Sequence, residues 1–278
     1  MNLEEIHQKI LYPVVRCRTE KAGGSGTIIY SSPDSENPDE YQTFVLTNAH
    51  VVDSAISTKK DWDSLLKKNI EKEILAPVSI DIFSYVYLST GVSSNTHKAI
   101  IVAYDKSQDI AVLKLDSPQK YDYVASLIPK SKISNIRLFT SVWEVGASLL
   151  HEPFANPGYI TFLKEFSDNK LFFMSNCCSI FGNSGGAIFL SETGEFVGIP
   201  AKVSAIQIGF GRDIISWMSF LIPSQRIYEF FDEQYLFWLY NPKYTFKECM
   251  NLRAEKERKN KLEALIGKSE EKVEEIKN

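Results

Sequence analysis

From about Pro13 to Pro223 the chain alternates short apolar runs with clusters of Gly, Pro, Asn, Asp and Ser. Runs such as Thr27-Ile28-Ile29-Tyr30, Phe44-Val45-Leu46-Thr47, Ile100-Ile101-Val102-Ala103, Ile110-Ala111-Val112-Leu113, Ala187-Ile188-Phe189-Leu190 and Phe196-Val197-Gly198-Ile199 are four residues long. That length, with turn residues on both sides, predicts β-strands rather than helices, and many short strands predict an all-β barrel or sandwich. Helical spacing is confined to three places. Leu3–Leu11 is one. Lys59–Leu75 is the second, where Trp62, Leu65, Leu66, Ile70 and Ile74 recur between lysines and glutamates, predicting an inserted helix over roughly Thr58–Leu75. The third follows Pro223, where Ser224-Gln225-Arg226 opens an aromatic segment with Ile227, Phe230, Phe231, Leu236, Trp238 and Leu239. It reads as a helix packed on a β core, ended at Pro242. From Lys247 to Asn278 the chain is mostly Lys, Arg and Glu, with Leu262, Ile266, Ser269, Val273 and Ile276 at alternating four- and three-residue steps. This is a short coiled-coil seam, a candidate for self-association through the tail, or else a solvated helix.

Composition narrows the function classes. The 278 residues carry 31 Lys+Arg against 35 Asp+Glu, a net charge of −4, so no general basic field exists to hold nucleic acid. Met1–His7 lacks the basic stretch and apolar core of a secretory signal, and no apolar run is long enough to span a bilayer. The expectation is a cytoplasmic protein without a membrane partner. Cys17, Cys177, Cys178 and Cys249 show an adjacent pair and no CxxC spacing, predicting reduced thiols and no metal site.

Candidate chemistry begins at Gly182-Asn183-Ser184-Gly185-Gly186, one serine among glycines just ahead of an apolar strand. A hairpin turn has this composition. So does a nucleophile turn, in which the Gly182 and Ser184 N–H groups converge on the oxyanion of a tetrahedral intermediate. A serine hydroxyl needs a base. Of the four histidines, His7 sits in the N-terminal helix, His97 in a polar stretch and His151 in a loop. His50 alone follows a strand directly, in Thr47-Asn48-Ala49-His50-Val51-Val52, where a base can be held rigidly. The base needs an orienting carboxylate. Asp109 stands at the mouth of the strand Ile110–Leu115, while its rival Asp105 lies in a polar turn and suits an Asx role.

The order His50, Asp109, Ser184, each within its own motif, resembles the trypsin-like (chymotrypsin-fold) serine peptidases, and within them the bacterial Deg/HtrA-type branch. Gly24-Ser25-Gly26-Thr27-Ile28-Ile29, Val45–Val52, Asp109–Leu115, Gly182–Gly186, Gly194–Ile199 and Phe220–Ser224 carry the resemblance, which runs from about Pro13 to about Ile227. It implies two six-stranded β-barrels, about 13–120 and 121–227, with the site between them. A peptidase domain would then span 1–240 with its packing helix, and a charged helical tail 241–278. His50, Asp109 and Ser184 would form the catalytic triad of a serine endopeptidase acting on protein or peptide, without metal or organic cofactor. A catalytically idle or latent module that only binds is the alternative.

Departures from the family are specific. Asn183 stands where animal trypsins carry an aspartate paired with a freed N-terminus, and Val51 replaces a disulfide cysteine. Only the aromatic helix and charged tail follow Pro223, where the Deg/HtrA branch usually adds a PDZ domain. By the same resemblance the primary pocket involves Cys178, Ser179, Ala201, Lys202 and Met218. Their stretches hold no carboxylate, so an apolar pocket for small or medium aliphatic side chains is expected.

Overall fold

The computed structural model describes residues 1–63, 68–209 and 211–260. The chain divides into two compact units, Met1–Tyr228 and Glu229–Asn278.

The first unit opens with α1 (Leu3–Ile6), where the Asn2 side chain accepts from Glu5 N–H and Glu5 reaches back to Asn2 N–H. This reciprocal capping starts the helix, which continues as a π-helical turn to Leu11. Strands β1 (Val14–Arg18), β2 (Gly23–Pro33) and β3 (Tyr41–Thr47) follow, then α2 (Ala49–Val52). Next come β4 (Ile56–Asp63), β5 (Lys68–Leu75), β6 (Val78–Val86), β7 (Thr90–Asp105) and β8 (Ile110–Leu115). Six of these close a barrel in the order β1-β2-β3-β8-β7-β6. Its interior is filled by Val15, Ile28, Val45, Ile80, Ile101 and Leu113, the inward members of alternating strands.

The inserted helix expected over Thr58–Leu75 is instead a hairpin, β4 pairing antiparallel with β5 from Ile56↔Leu75 onward. The misreading has a simple cause. Residues four apart, such as Ile70 and Ile74, share a face in a strand as well as in a helix. Trp62 and Ile74 stay exposed, so there was no buried stripe to decide between the periods. Leu65 and Leu66 lie outside the described residues.

Strands β9 (Ser126–Leu127), β10 (Ser141–Gly146), β11 (Phe154–Ser167), β12 (Lys170–Ser175), β13 (Ala187–Leu190), β14 (Glu195–Ile208) and β15 (Gly211–Pro223) form the second sheet. Its order is β13-β10-β11-β12-β15-β14-β9, and a further pairing of β13 with β14 closes six strands into a ring. Val142, Ile160, Ile188, Val197 and Leu221 pack inside it. The fold is therefore mostly β, with two barrels as expected. Helix α3 (Ser224–Glu233) begins in this unit. Its Tyr228 hydroxyl donates to Ile128 O at 2.8 Å.

In the second unit Trp238 packs edge-on against Phe246. Thr245 accepts from Glu248 N–H at 3.2 Å, while Glu248 accepts from Thr245 N–H at 2.8 Å, a capping box that opens a helix over 246–260. The seam residues Leu262, Ile266, Ser269, Val273 and Ile276 lie outside the described residues. All four cysteines are free thiols, Cys178 exposed and the others buried. Among the described residues no helix is long and apolar enough to cross a membrane.

One charged group ties the first barrel shut. Asp81, 1 % exposed on β6, accepts from Arg16 Nε (2.7 Å), from Arg18 Nε (2.6 Å) and Nη2 (2.7 Å), and from Thr96 Oγ1 (2.6 Å). Burial pushes its carboxyl up, but hydrogen bonds from Arg18, Thr96 and Arg16 outweigh that and hold it at about 2. A carboxylate depressed in the folded state adds stability above its unfolded value, and that stability is lost as pH falls from about 4 toward 2. Asp81→Asn is expected to cost about 2 kcal/mol at pH 7. Urea melts should show that gap shrinking between pH 5 and pH 2.

Candidate active site

The site is built from loops that leave the two barrels toward one another. Strand β3 delivers Thr47 and then α2, whose second residue is His50. Asp109 ends the β7–β8 turn with φ +59°, a left-handed conformation that aspartate tolerates better than most residues. The turn aims its carboxylate at α2. His50 Nδ1 lies 2.9 Å from both Asp109 oxygens, and His50 N–H donates to Asp109 Oδ1 at 3.0 Å. Asn48 Nδ2 donates to Asp109 O at 2.8 Å, locking the two segments together. Asp105 instead accepts the N–H groups of Ser107 and Gln108, closing an Asx turn.

The serine turn is fixed from both barrels. Ser25, fully buried on β2, donates from Oγ to Gly182 O (2.6 Å) and from N to Ser184 O (2.9 Å), and accepts from Ala147 N–H (2.7 Å). Its own carbonyl accepts from Thr47 Oγ1 at 2.7 Å, three residues before His50. With the Gly182 and Ser184 carbonyls both held by Ser25, their N–H groups are left without acceptors among the described residues. Glycine is required at 182 and 185. Their φ values are +99° and +85°, and a Cβ at Gly185 would lie 2.2 Å from both Ser25 O and Thr47 Oγ1.

Asn183 points the other way, into the second barrel. Its Nδ2 donates to Glu144 Oε1 at 2.7 Å, and its Oδ1 accepts from the Ser148 hydroxyl. Glu144 is fully buried, and its other oxygen accepts from Ser219 Oγ at 3.1 Å. Burial raises its carboxyl above the ordinary range, against hydrogen bonds from Ser179, Asn183 and Ser219. The sequence reading gave no role to Glu144, nor to Ser25 beyond its place in the Gly24–Ile29 motif. The signal for Glu144 was its strand parity with Val142, which places a carboxylate on an inward face.

His50 and Ser184 face one cavity of about 460 Å³, shared with Ser179, Ile180, Phe181, Ala201, Lys202 and Val203. Ser184 Oγ donates to Ala201 O at 3.5 Å, and among the described residues His50 Nε2 has no hydrogen-bond partner. Of the expected pocket residues, Ser179, Ala201 and Lys202 line this cavity and two do not. The Cys178 thiol turns toward Ser216 Oγ at 3.6 Å, and Met218 lies on β15 with its side chain partly in solvent. Both assignments rest on the resemblance alone. Ile180, Phe181 and Val203 take part instead. Burial pushes the nearby Cys177 thiol up to about 12, so it stays protonated and is no rival nucleophile.

A family model described as trypsin-like peptidase domain matches residues 24–199, more than half of the chain. A comparison with curated proteins finds no match. Among solved structures, two of the HtrA-type protease AlgW with tripeptide, one of them a variant, superimpose with a TM-score of 0.57 each. They share 18 % and 19 % identity, over 82 % and 81 % of this chain. The chain spans about three fifths of their length, 62 % and 60 %. At that identity the likeness is one of fold.

Proposed function

The chain belongs to the trypsin-like peptidases, and from that premise we propose that it is a serine endopeptidase whose triad is His50, Asp109 and Ser184. Ser184 Oγ attacks the peptide carbonyl while His50 Nε2 takes its proton, and a tetrahedral intermediate forms. Its oxyanion lies against the N–H groups of Gly182 and Ser184. The protonated imidazole then gives its proton to the leaving amine, the C–N bond breaks, and an acyl-enzyme remains. Water, deprotonated by His50, releases the acid by the same steps in reverse. Asp109 keeps the proton on Nδ1 in the resting state and stabilises the imidazolium.

The observation that carries this reading is the pairing of His50 Nδ1 with Asp109 at 2.9 Å while the ring faces the same cavity as Ser184. Ser184 Oγ makes a long 3.5 Å contact with Ala201 O instead of a hydrogen bond to His50, and catalytic hydrogen bonds that are long or unmade without substrate commonly tighten when it binds. The cavity beside Ser184 is lined by Ile180, Phe181, Ala201 and Val203, with Ser179 and Lys202 as its polar residues besides His50 and Ser184, and no carboxylate. This suits a small or medium aliphatic side chain next to the scissile bond better than a basic one.

A latent form is the second reading, favoured by that same Ser184–Ala201 contact. One experiment separates the two. A fluorophosphonate should modify one residue per chain, mapped by mass spectrometry to Ser184, without any added partner. Labelling that requires a second protein would establish the latent form, and labelling elsewhere would remove Ser184 from the role.

A further inference from the structure

A second cavity, of about 480 Å³, adjoins the first at His50, Ala201 and Lys202, and nothing in the mechanism above uses it. Its charge is unlike that of the chain as a whole. Lys106, Lys170, Lys202 and Arg226 face it, against the carboxylates of Asp109 and Asp168. Asp109 is committed to His50, and Asp168 lies 3.7 Å from Lys202 on a largely exposed loop position. In a protein of net charge −4, this leaves a local excess of positive charge beside the reacting atoms.

The cations are organised rather than scattered. Arg226, 5 % exposed, donates from Nη2 to Gln108 O (2.8 Å) and Oε1 (2.8 Å), and from Nη1 to Leu171 O (3.1 Å). Its guanidinium carbon lies 4.8 Å from the centre of the Phe172 ring, and Lys202 Nζ lies 5.0 Å from the same ring. Lys170 Nζ donates to Ser107 O, and Lys106 pairs with Asp53 at 2.6 Å on the open rim. A buried guanidinium and an ammonium against one aromatic ring form a lining whose charge does not have to be gathered when a ligand arrives.

We propose that this cavity is a subsite for an acidic side chain of the substrate, a glutamate or aspartate within three residues of the scissile bond. The proposal rests on the peptidase reading and adds the substrate class. Its geometry follows from Ala201 and Lys202 lining both cavities. A peptide with one side chain beside Ser184 and its backbone along residues 201–203 passes directly into the second. A carboxylate there meets Lys170 and Lys202 in a partly desolvated setting, where a charge-assisted hydrogen bond is worth more than at an open surface.

The test uses N-acetylated octapeptides with one central alanine as the cleavage point, and Glu, Gln or Lys placed singly at each of the three residues on either side. At one position Glu should raise kcat/KM about tenfold over Gln and further over Lys, the scale of one charge-assisted hydrogen bond. That preference should shrink as ionic strength rises. Lys170→Glu and Lys202→Glu, made separately, should each invert the Glu-to-Lys ratio, a readout independent of overall activity. Equal kcat/KM for Glu, Gln and Lys at all six positions would overturn the subsite. If no peptide is cleaved and no fluorophosphonate labels the chain, the peptidase reading fails. The subsite is then decided by fluorescence anisotropy of the same peptides on Ser184→Ala: tighter binding of a Glu peptide supports it, and equal affinities overturn it.

Discussion

Replacing Ser184 with alanine is expected to lower kcat for peptide hydrolysis by roughly 10⁶-fold, with KM changed little. The hydroxyl is the bond-forming group in the proposed reaction, so its loss removes the acyl-enzyme route entirely. What remains is the rate that binding and the Gly182 and Ser184 N–H groups provide, on the order of 10³-fold over water. Stability should scarcely move, because the half-buried hydroxyl makes one long contact to Ala201 O and the backbone anchors from Ser25 are untouched. His50→Ala should cost nearly as much, and the double variant hardly more than either single one, since the two groups act as a unit. Values of kcat normalised to total protein concentration and urea melts of the four proteins check this. Turnover by Ser184→Ala within tenfold of the parent would remove the serine from the mechanism.

How far the sequence could be read depended on where the signal was local. Ser184 was legible because a hydroxyl, two convergent amides and left-handed glycines must sit within five residues of chain. His50 and Asp109 were legible because each lies beside a strand, β3 or β8, whose apolar pattern marks its end. Strand length and turn residues led only as far as an all-β barrel or sandwich; the division into two barrels came from the resemblance. The β4–β5 hairpin was not legible, since its apolar positions satisfy both periods and Trp62, Ile74 and Leu75 stay exposed. Residues that act from a distance were also hidden. Ser25 lies 159 positions before Ser184, yet it holds that residue's carbonyl. Cys178 and Met218, assigned to the pocket through the resemblance alone, do not line the cavity that His50 and Ser184 share.

Glu144 gives the second large effect, and its two substitutions should behave differently. A carboxylate with no exposed surface, held by hydrogen bonds from Ser179, Asn183 and Ser219 and by no cation among the described residues, is an expensive way to fill a barrel. Its geometric consequence is that Asn183 is held between Glu144 and Ser148 while Gly182 and Ser184, on either side, are held by Ser25. Glu144→Ala leaves the Asn183 Nδ2 donor buried without an acceptor, a cost of about 1–3 kcal/mol. It also frees the loop that carries the proposed oxyanion donors, the Gly182 and Ser184 N–H groups, for which about a hundredfold loss in kcat is expected, with KM little changed. Glu144→Gln keeps an acceptor for Asn183 and should restore most of that rate. The charge itself has the opposite effect on stability from that of Asp81. Because burial raises the Glu144 carboxyl, the folded chain holds this proton more tightly than the unfolded one. Its contribution is therefore fully present below the ordinary carboxylate range and is lost as pH rises through the elevated folded value. Glu144→Gln should accordingly flatten the decline in stability on the alkaline side of pH 5, where the parent pays for ionising a buried acid. Melts from pH 5 to 8, set beside kcat at each pH, separate the positioning of Asn183 from the cost of the charge. A glutamine variant as slow as the alanine variant would mean that Glu144 does not act through Asn183.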